Sequence, residues 1–90
     1  MHEWDFKVRR KAHIFEVYVE LDSHTPLGDF LRAVRARGLE PSNVQLEHET
    51  IVSGKVLPFI VTIKGKKFQD QDVMFGLIKK LEGVKYIEIL

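Results

Sequence analysis

Two short runs hold side chains that could do chemistry. Asp22-Ser23-His24 contains the residue types of a hydrolase triad, and Glu47-His48-Glu49 places three metal-ligating types in a row. Neither spacing suits the chemistry. A nucleophile, its base and an orienting carboxylate must form a directed chain of hydrogen bonds, which adjacency in sequence does not provide, and no strained nucleophile turn accompanies Ser23. Alternation along a strand sends His48 to the opposite side from Glu47 and Glu49, so the three groups do not converge. His2, His13 and His24 are scattered and lack the paired spacing that puts two ligands on one helical face or in one turn. The glycines are isolated, so no phosphate-cradling loop is present. The expectation is a chain with no catalytic residue, no metal site and no cofactor.

Bulk composition narrows the class further. The chain has 90 residues, 14 Lys and Arg against 13 Asp and Glu, a net charge of +1, 44% hydrophobic residues, 30% charged residues and no cysteine. That length fits one domain with a modest core. The mixture is that of a well-solvated globular protein, and near-neutrality argues against dedicated nucleic-acid binding. Without cysteine there is neither a disulfide framework nor a thiolate site, which suits a reducing compartment. No apolar run reaches the roughly 20 residues that span a bilayer, and the N-terminus lacks a signal-peptide layout, so the chain itself is expected to be soluble and cytosolic.

The elements that must position any site follow from periodicity. Residues 1–12 form an N-terminal arm in which Trp4, Phe6 and Val8 alternate ahead of the basic run Arg9, Arg10, Lys11. This is either an extra strand packed on the domain edge or a juxtamembrane segment held near anionic headgroups. Residues 13–90 form the domain. His13 to Leu21 alternates as a half-buried strand. Thr25 and Pro26 mark a helix start, with Thr25 as N-cap and Pro26 as first helical residue. Leu27, Phe30, Leu31 and Val34 form the buried stripe of that helix, and Gly38 stops it. Asn43 to Ile51 alternates as a charged edge strand, and Ser53-Gly54-Lys55 turns the chain. Phe59, Val61 and Ile63 define an apolar third strand that starts near Pro58 and ends at Gly65. Asp70 caps a second helix whose buried face is Val73, Met74, Leu77, Ile78 and Leu81, closed by Gly83. Val84 to Leu90 is the last strand.

The order βαββαβ predicts an α+β, ferredoxin-like fold: a four-stranded antiparallel sheet with two helices on one face, its first and third strands central. The commonest RNA-binding module shares this order. Its third strand carries a basic-glycine-aromatic run that stacks bases, which Pro58-Phe59-Ile60-Val61-Thr62 lacks, so no nucleic-acid partner is expected.

Alternation assigns the sheet face left uncovered by the helices to Ile14, Glu16, Tyr18, Glu20, Gln45, Glu47, Glu49, Ile60, Thr62, Tyr86 and Glu88. Ile14, Tyr18, Ile60 and Tyr86 form an apolar strip framed by glutamates, the layout of a contact surface with a polar rim. Arg32, Arg35, Lys79 and Lys80 fall in the helical layer, making the domain electrically two-sided. This face is the candidate interaction site.

Two families resemble parts of the chain. Thr25-Pro26-Leu27-Gly28, Phe30-Leu31 and Arg37-Gly38-Leu39 resemble the opening of an ACT domain, a regulatory fold that often binds amino acids; Leu27 stands between the proline and glycine that are usually adjacent there. Over residues 13–90 the chain is similar to the C-terminal ACT-like domain of the MgtC/SapB family, through Gly38-Leu39, Ser42-Asn43-Val44-Gln45-Leu46 and Leu81-Glu82-Gly83-Val84-Lys85-Tyr86-Ile87-Glu88-Ile89-Leu90. That resemblance implies a regulatory or interaction domain of a magnesium-associated bacterial membrane protein, on the cytoplasmic side of the inner membrane. Its partner would be another part of the parent or a separate protein. The ACT resemblance implies instead a free-standing small-molecule sensor.

Overall fold

The computed structural model describes residues 11–47 and 55–90. Its elements are β1 (Lys11–Asp22), α1 (Leu27–Ala36), β2 (Glu40–Leu46), β3 (Val56–Asp70), α2 (Gln71–Lys79) and β4 (Val84–Ile89). The strands form one antiparallel sheet in the order β2-β3-β1-β4, with the expected βαββαβ connectivity of an α+β, ferredoxin-like fold. β1 and β3 are central, and the charged β2 lies at an edge.

The core forms where the inner sheet face meets one stripe of each helix. Val17, Val19 and Leu21 from β1, Phe59, Val61 and Ile63 from β3 and Ile87 from β4 are buried against Phe30 and Val34 of α1 and Met74 and Ile78 of α2. Phe30 and Phe59 meet edge to face at 5.5 Å, an arrangement that sets the positive rim of one ring against the negative face of the other. Leu27 and Leu31 only partly enter this core, so the buried stripe of α1 is narrower than its spacing suggests. Val73, expected on the buried face of α2, is 55% exposed, because that face is set by Met74, Ile78 and the following Leu81.

Caps fix the helices. Gly38, at φ +81°, sits one residue beyond the last turn of α1; its N–H donates to the Arg35 carbonyl at 2.9 Å and the Leu39 N–H to the Val34 carbonyl at 3.3 Å. These are the paired bonds of a Schellman stop. At the start of α1 the cap is Pro26 rather than Thr25, and no side chain caps it. The Pro26 carbonyl takes the first helical bonds from Asp29 and Phe30. Asp70 does cap α2, its carboxylate accepting the Asp72 N–H at 2.8 Å. Gly83 does not close the helix itself: α2 ends at its cap Lys80, and Gly83, at φ +87°, shapes a separate turn in which the Val84 N–H reaches the Leu81 carbonyl.

Strand limits depart from the expected ones where the sheet is irregular. β1 begins at Lys11, which pairs with Asp70, and Trp4, Phe6, Val8, Arg9 and Arg10 lie outside the described residues. β2 spans Glu40–Leu46 and so starts before the expected Asn43, because Pro41 is accepted on an edge strand and Asn43, at φ 57°, makes a bulge between Ser42 and Gln45; the rest of the expected strand, His48 to Ile51, lies outside the described residues. β3 does not end at Gly65. It runs on to Asp70, with its register to β1 slipping between Ala12 and Ile14 to absorb the extra residues. The predicted turn residues Ser53 and Gly54 lie outside the described residues.

Candidate functional site

Four strands set out, in a regular grid, the sheet face that neither helix covers. Glu16 stands opposite Thr62, Tyr18 opposite Ile60 and Ile14 opposite Lys64 across β1 and β3, while Tyr18 faces Glu88 and Glu20 faces Tyr86 across β1 and β4. Gln45 on β2 pairs with Ile60. The alternation that predicted this face holds over Ile14–Glu20, Ile60–Thr62 and Tyr86–Glu88 because no bulge falls within them, so a period of two keeps one set of side chains on one side.

Its centre is a pair of tyrosines. Tyr18 and Tyr86 are diagonal neighbours on adjacent strands, with ring centroids 6.2 Å apart and planes at 65°. Each phenol donates along its own strand to the carboxylate two residues on: Tyr18 to Glu20 Oε2 at 2.7 Å and Tyr86 to Glu88 Oε1 at 3.3 Å. Burial pushes the Tyr18 hydroxyl up to about 12, helped by the hydrogen bond to Glu20 and by the negative charge of Glu20 and Glu47. The Glu88 charge likewise raises Tyr86, with burial adding to it. Both phenols therefore stay neutral donors at ordinary pH, and the charge of the face comes from its carboxylates.

Of the predicted face residues, the structure brings Glu16, Tyr18, Glu20, Ile60, Tyr86 and Glu88 together, with Glu47 close enough to act on Tyr18. Ile14 is 53% exposed at the end of the strip, and Glu49 lies outside the described residues. Sequence spacing missed several members, among them Ser42, which stands opposite Thr62. Lys64 and Glu40, paired across β3 and β2, share this face and put one cation at its corner. The signal for Lys64 was present, since it continues the phase of Ile60 and Thr62, but ending the strand at Gly65 hid it. The longer strand also includes Lys64-Gly65, followed by Lys66 where a base-stacking strand would carry an aromatic.

The two runs considered for chemistry resolve differently. Asp22 Oδ1 accepts the backbone N–H of His24 at 3.0 Å, so this segment is a side-chain-stabilised turn in which Asp22 serves the backbone. His48 lies outside the described residues; among those described, no three His, Asp or Glu residues are grouped to hold a metal ion. Among the described residues no helix is long and apolar enough to cross a membrane. Arg32, Arg35, Lys79 and Lys80 are exposed in the helical layer, where Asp29 pairs with Arg32 and the Lys79 ammonium lies 5.7 Å from the centre of the Phe75 ring.

Comparison of the chain with family models, with curated proteins and with solved structures gives no match.

Proposed function

We propose that the domain is a non-catalytic regulatory or interaction module that docks a basic segment on its open sheet face. We place it within an MgtC/SapB-type, magnesium-associated membrane protein, on the cytoplasmic side of the bacterial inner membrane. The observation that carries the docking role is the strip Ile14, Tyr18, Ile60 and Tyr86 running down an uncovered face rimmed by Glu16, Glu20, Glu47 and Glu88. The ferredoxin-like fold supports the parentage, since it is the architecture that the family resemblance implies.

The face favours cations in two ways. A Lys or Arg from the partner can lie over the tyrosine rings, worth about 0.5–1 kcal/mol at an exposed site, while its charge meets the surrounding glutamates. Aliphatic side chains between such cations would cover Ile14 and Ile60. Stacking two copies of the same face would instead oppose like charges. The partner is therefore another surface, either a cytosolic loop of the parent or a separate protein. Titrating the isotope-labelled domain with synthetic peptides that alternate Lys or Arg with aliphatic residues should shift the resonances of Tyr18, Ile60 and Tyr86. Reversing Glu16 and Glu47 to lysine should weaken binding and flatten its salt dependence with the fold intact. Shifts confined to the helical layer, or binding unchanged by the reversal and by Tyr18→Ala, would refute the docking role. The parentage requires several apolar spans encoded in frame upstream, and an enzyme domain there would refute it.

A further inference from the structure

The two edges of the sheet are built differently. β2 carries Pro41, the Asn43 bulge and Glu40, features that discourage another strand from adding. On β4 the only irregularity lies at its start, and from Tyr86 to Ile89 the pairing with β1 is regular and free of proline and glycine. The Leu90 N–H donates to the Glu16 carbonyl at 2.8 Å, which fixes the phase: even-numbered residues here turn their backbone groups toward β1. The N–H and C=O groups of Ile87 and Ile89 therefore point outward, where no strand lies among the described residues. Beside this edge a cleft of about 340 Å³ is lined by Phe75, Lys79, Val84, Lys85, Tyr86 and Ile87.

We infer that β4 is the element through which two copies of this chain pair, antiparallel about a two-fold axis at Ile87. Residues that face each other must lie on the same side of the sheet, which restricts a symmetric pairing to an axis through a residue. With the axis at Ile87, that residue meets Ile87 of the second copy and exchanges both outward backbone bonds with it. Ile89 then lies opposite Lys85 of the second copy, the extra residue at the irregular start of β4, and beside the opposing cleft. Tyr86 meets Glu88 of the second copy in the non-hydrogen-bonded position, where side chains approach most closely. A phenol whose own bond to Glu88 is a long 3.3 Å gains a carboxylate across the seam. Neighbouring symmetric registers are poorer. An axis at Glu88 sets the two Glu88 carboxylates against each other, and one at Tyr86 leaves Ile89 facing Gly83, beyond the partner strand. A net charge of +1 per chain opposes the pairing only weakly.

This inference stands apart from the docking role, and its test does too. Sedimentation across a dilution series from millimolar to micromolar protein should show a dimer that dissociates. Ile89→Pro removes an outward N–H and no bond to β1, so this variant should keep its circular dichroism spectrum and sediment as a monomer. Because the chain has no cysteine, register can be read directly by mixing a Tyr86→Cys chain with a Glu88→Cys chain under mild oxidation. A non-hydrogen-bonded pair holds its Cα atoms about 4.5 Å apart, within disulfide reach. The mixture should cross-link several-fold faster than either chain alone. A parent that is monomeric at every concentration, a folded Ile89→Pro that still dimerises, or a mixture no faster than its components would overturn the inference.

Discussion

Replacing Gly83 with alanine should be the most damaging single-methyl change available among the glycines with defined surroundings. A Cβ built there overlaps Thr25 Oγ1 and falls 2.7 Å from both Thr25 Cβ and Cγ2, and φ at Gly83 is +87°. The two costs are separable. Left-handed backbone in an L-residue costs roughly 1–2 kcal/mol. Forcing atoms apart in a packed site adds typically about 1–3 kcal/mol. Relief by moving the backbone is hindered, since the Gly83 carbonyl accepts the Asp22 N–H at 2.7 Å and Thr25 is held by its own N–H to the Asp22 carbonyl at 3.0 Å. Gly38 supplies the control, with φ +81° and no atom within 4 Å of its built Cβ. Gly38→Ala should therefore show the backbone cost alone. The steric difference translates into a melting temperature roughly 5–20 °C lower for Gly83→Ala than for Gly38→Ala in a domain of this size. Thermal melts by circular dichroism measure both. Equal melting temperatures, or no recovery when Thr25→Gly is added to Gly83→Ala, would refute the claim that the two loops are locked against each other.

Two further substitutions test the core and the tyrosine centre. Ile87→Asp puts an unpaired carboxylate at a site only 5% exposed, at a cost of several kcal/mol, and should leave the chain unfolded by circular dichroism; a variant melting like the parent would remove Ile87 from the core. Tyr18, held up to about 12, should ionise later than an ordinary tyrosine when phenolate absorbance is followed with pH, and Glu20→Gln should bring that titration back toward 10. Because the raised value belongs to the folded state, its stabilising contribution is fully present below pH 10 and is lost as pH rises through about 12. Unchanged titration in Glu20→Gln would deny the hydrogen bond its part.

What the sequence revealed and what it hid have one cause. Period-two and helical spacings are local, so the two helices and the face membership of Glu16, Tyr18, Ile60 and Glu88 could be read wherever no residue is inserted. A bulge resets the phase without a local mark of its own. Asn43 and the slip opposite Ala12 and Ile14 are such insertions, and both sit where strand limits were misjudged. Gly65 shows the ambiguity: a glycine after an apolar strand signals its end or an irregularity inside it, and only the partner strand decides. Pro41 is similar, since a proline that argues against a strand in the middle of a sheet is tolerated on its edge. The Tyr18–Tyr86 contact was beyond reach because it depends on the register of β1 against β4, which neither strand encodes alone.

The open face and the β4 edge are distinct surfaces that share Tyr86 and Glu88, and this sharing decides how they would work together. Pairing at β4 continues one sheet across the seam, so the two acidic faces come to lie on the same side of a sheet twice as wide, turned by the ordinary strand-to-strand twist of about 20–25°. A partner with two basic segments would then meet two sites at once, and the second contact would form at high effective concentration. Docking would in turn favour pairing, because a partner spanning the seam holds both copies. The two contributions remain separable by experiment. Glu16 and Glu47 lie on β1 and just beyond β2, away from the seam, so reversing their charge weakens docking without altering the edge, whereas Ile89→Pro blocks pairing while leaving Ile14, Tyr18 and Ile60 in place. If docking is assisted by pairing, Ile89→Pro lowers the affinity for a two-segment peptide to that for a single segment and leaves single-segment binding unchanged. An equal loss for both peptides would mean that the proline has disturbed the face itself.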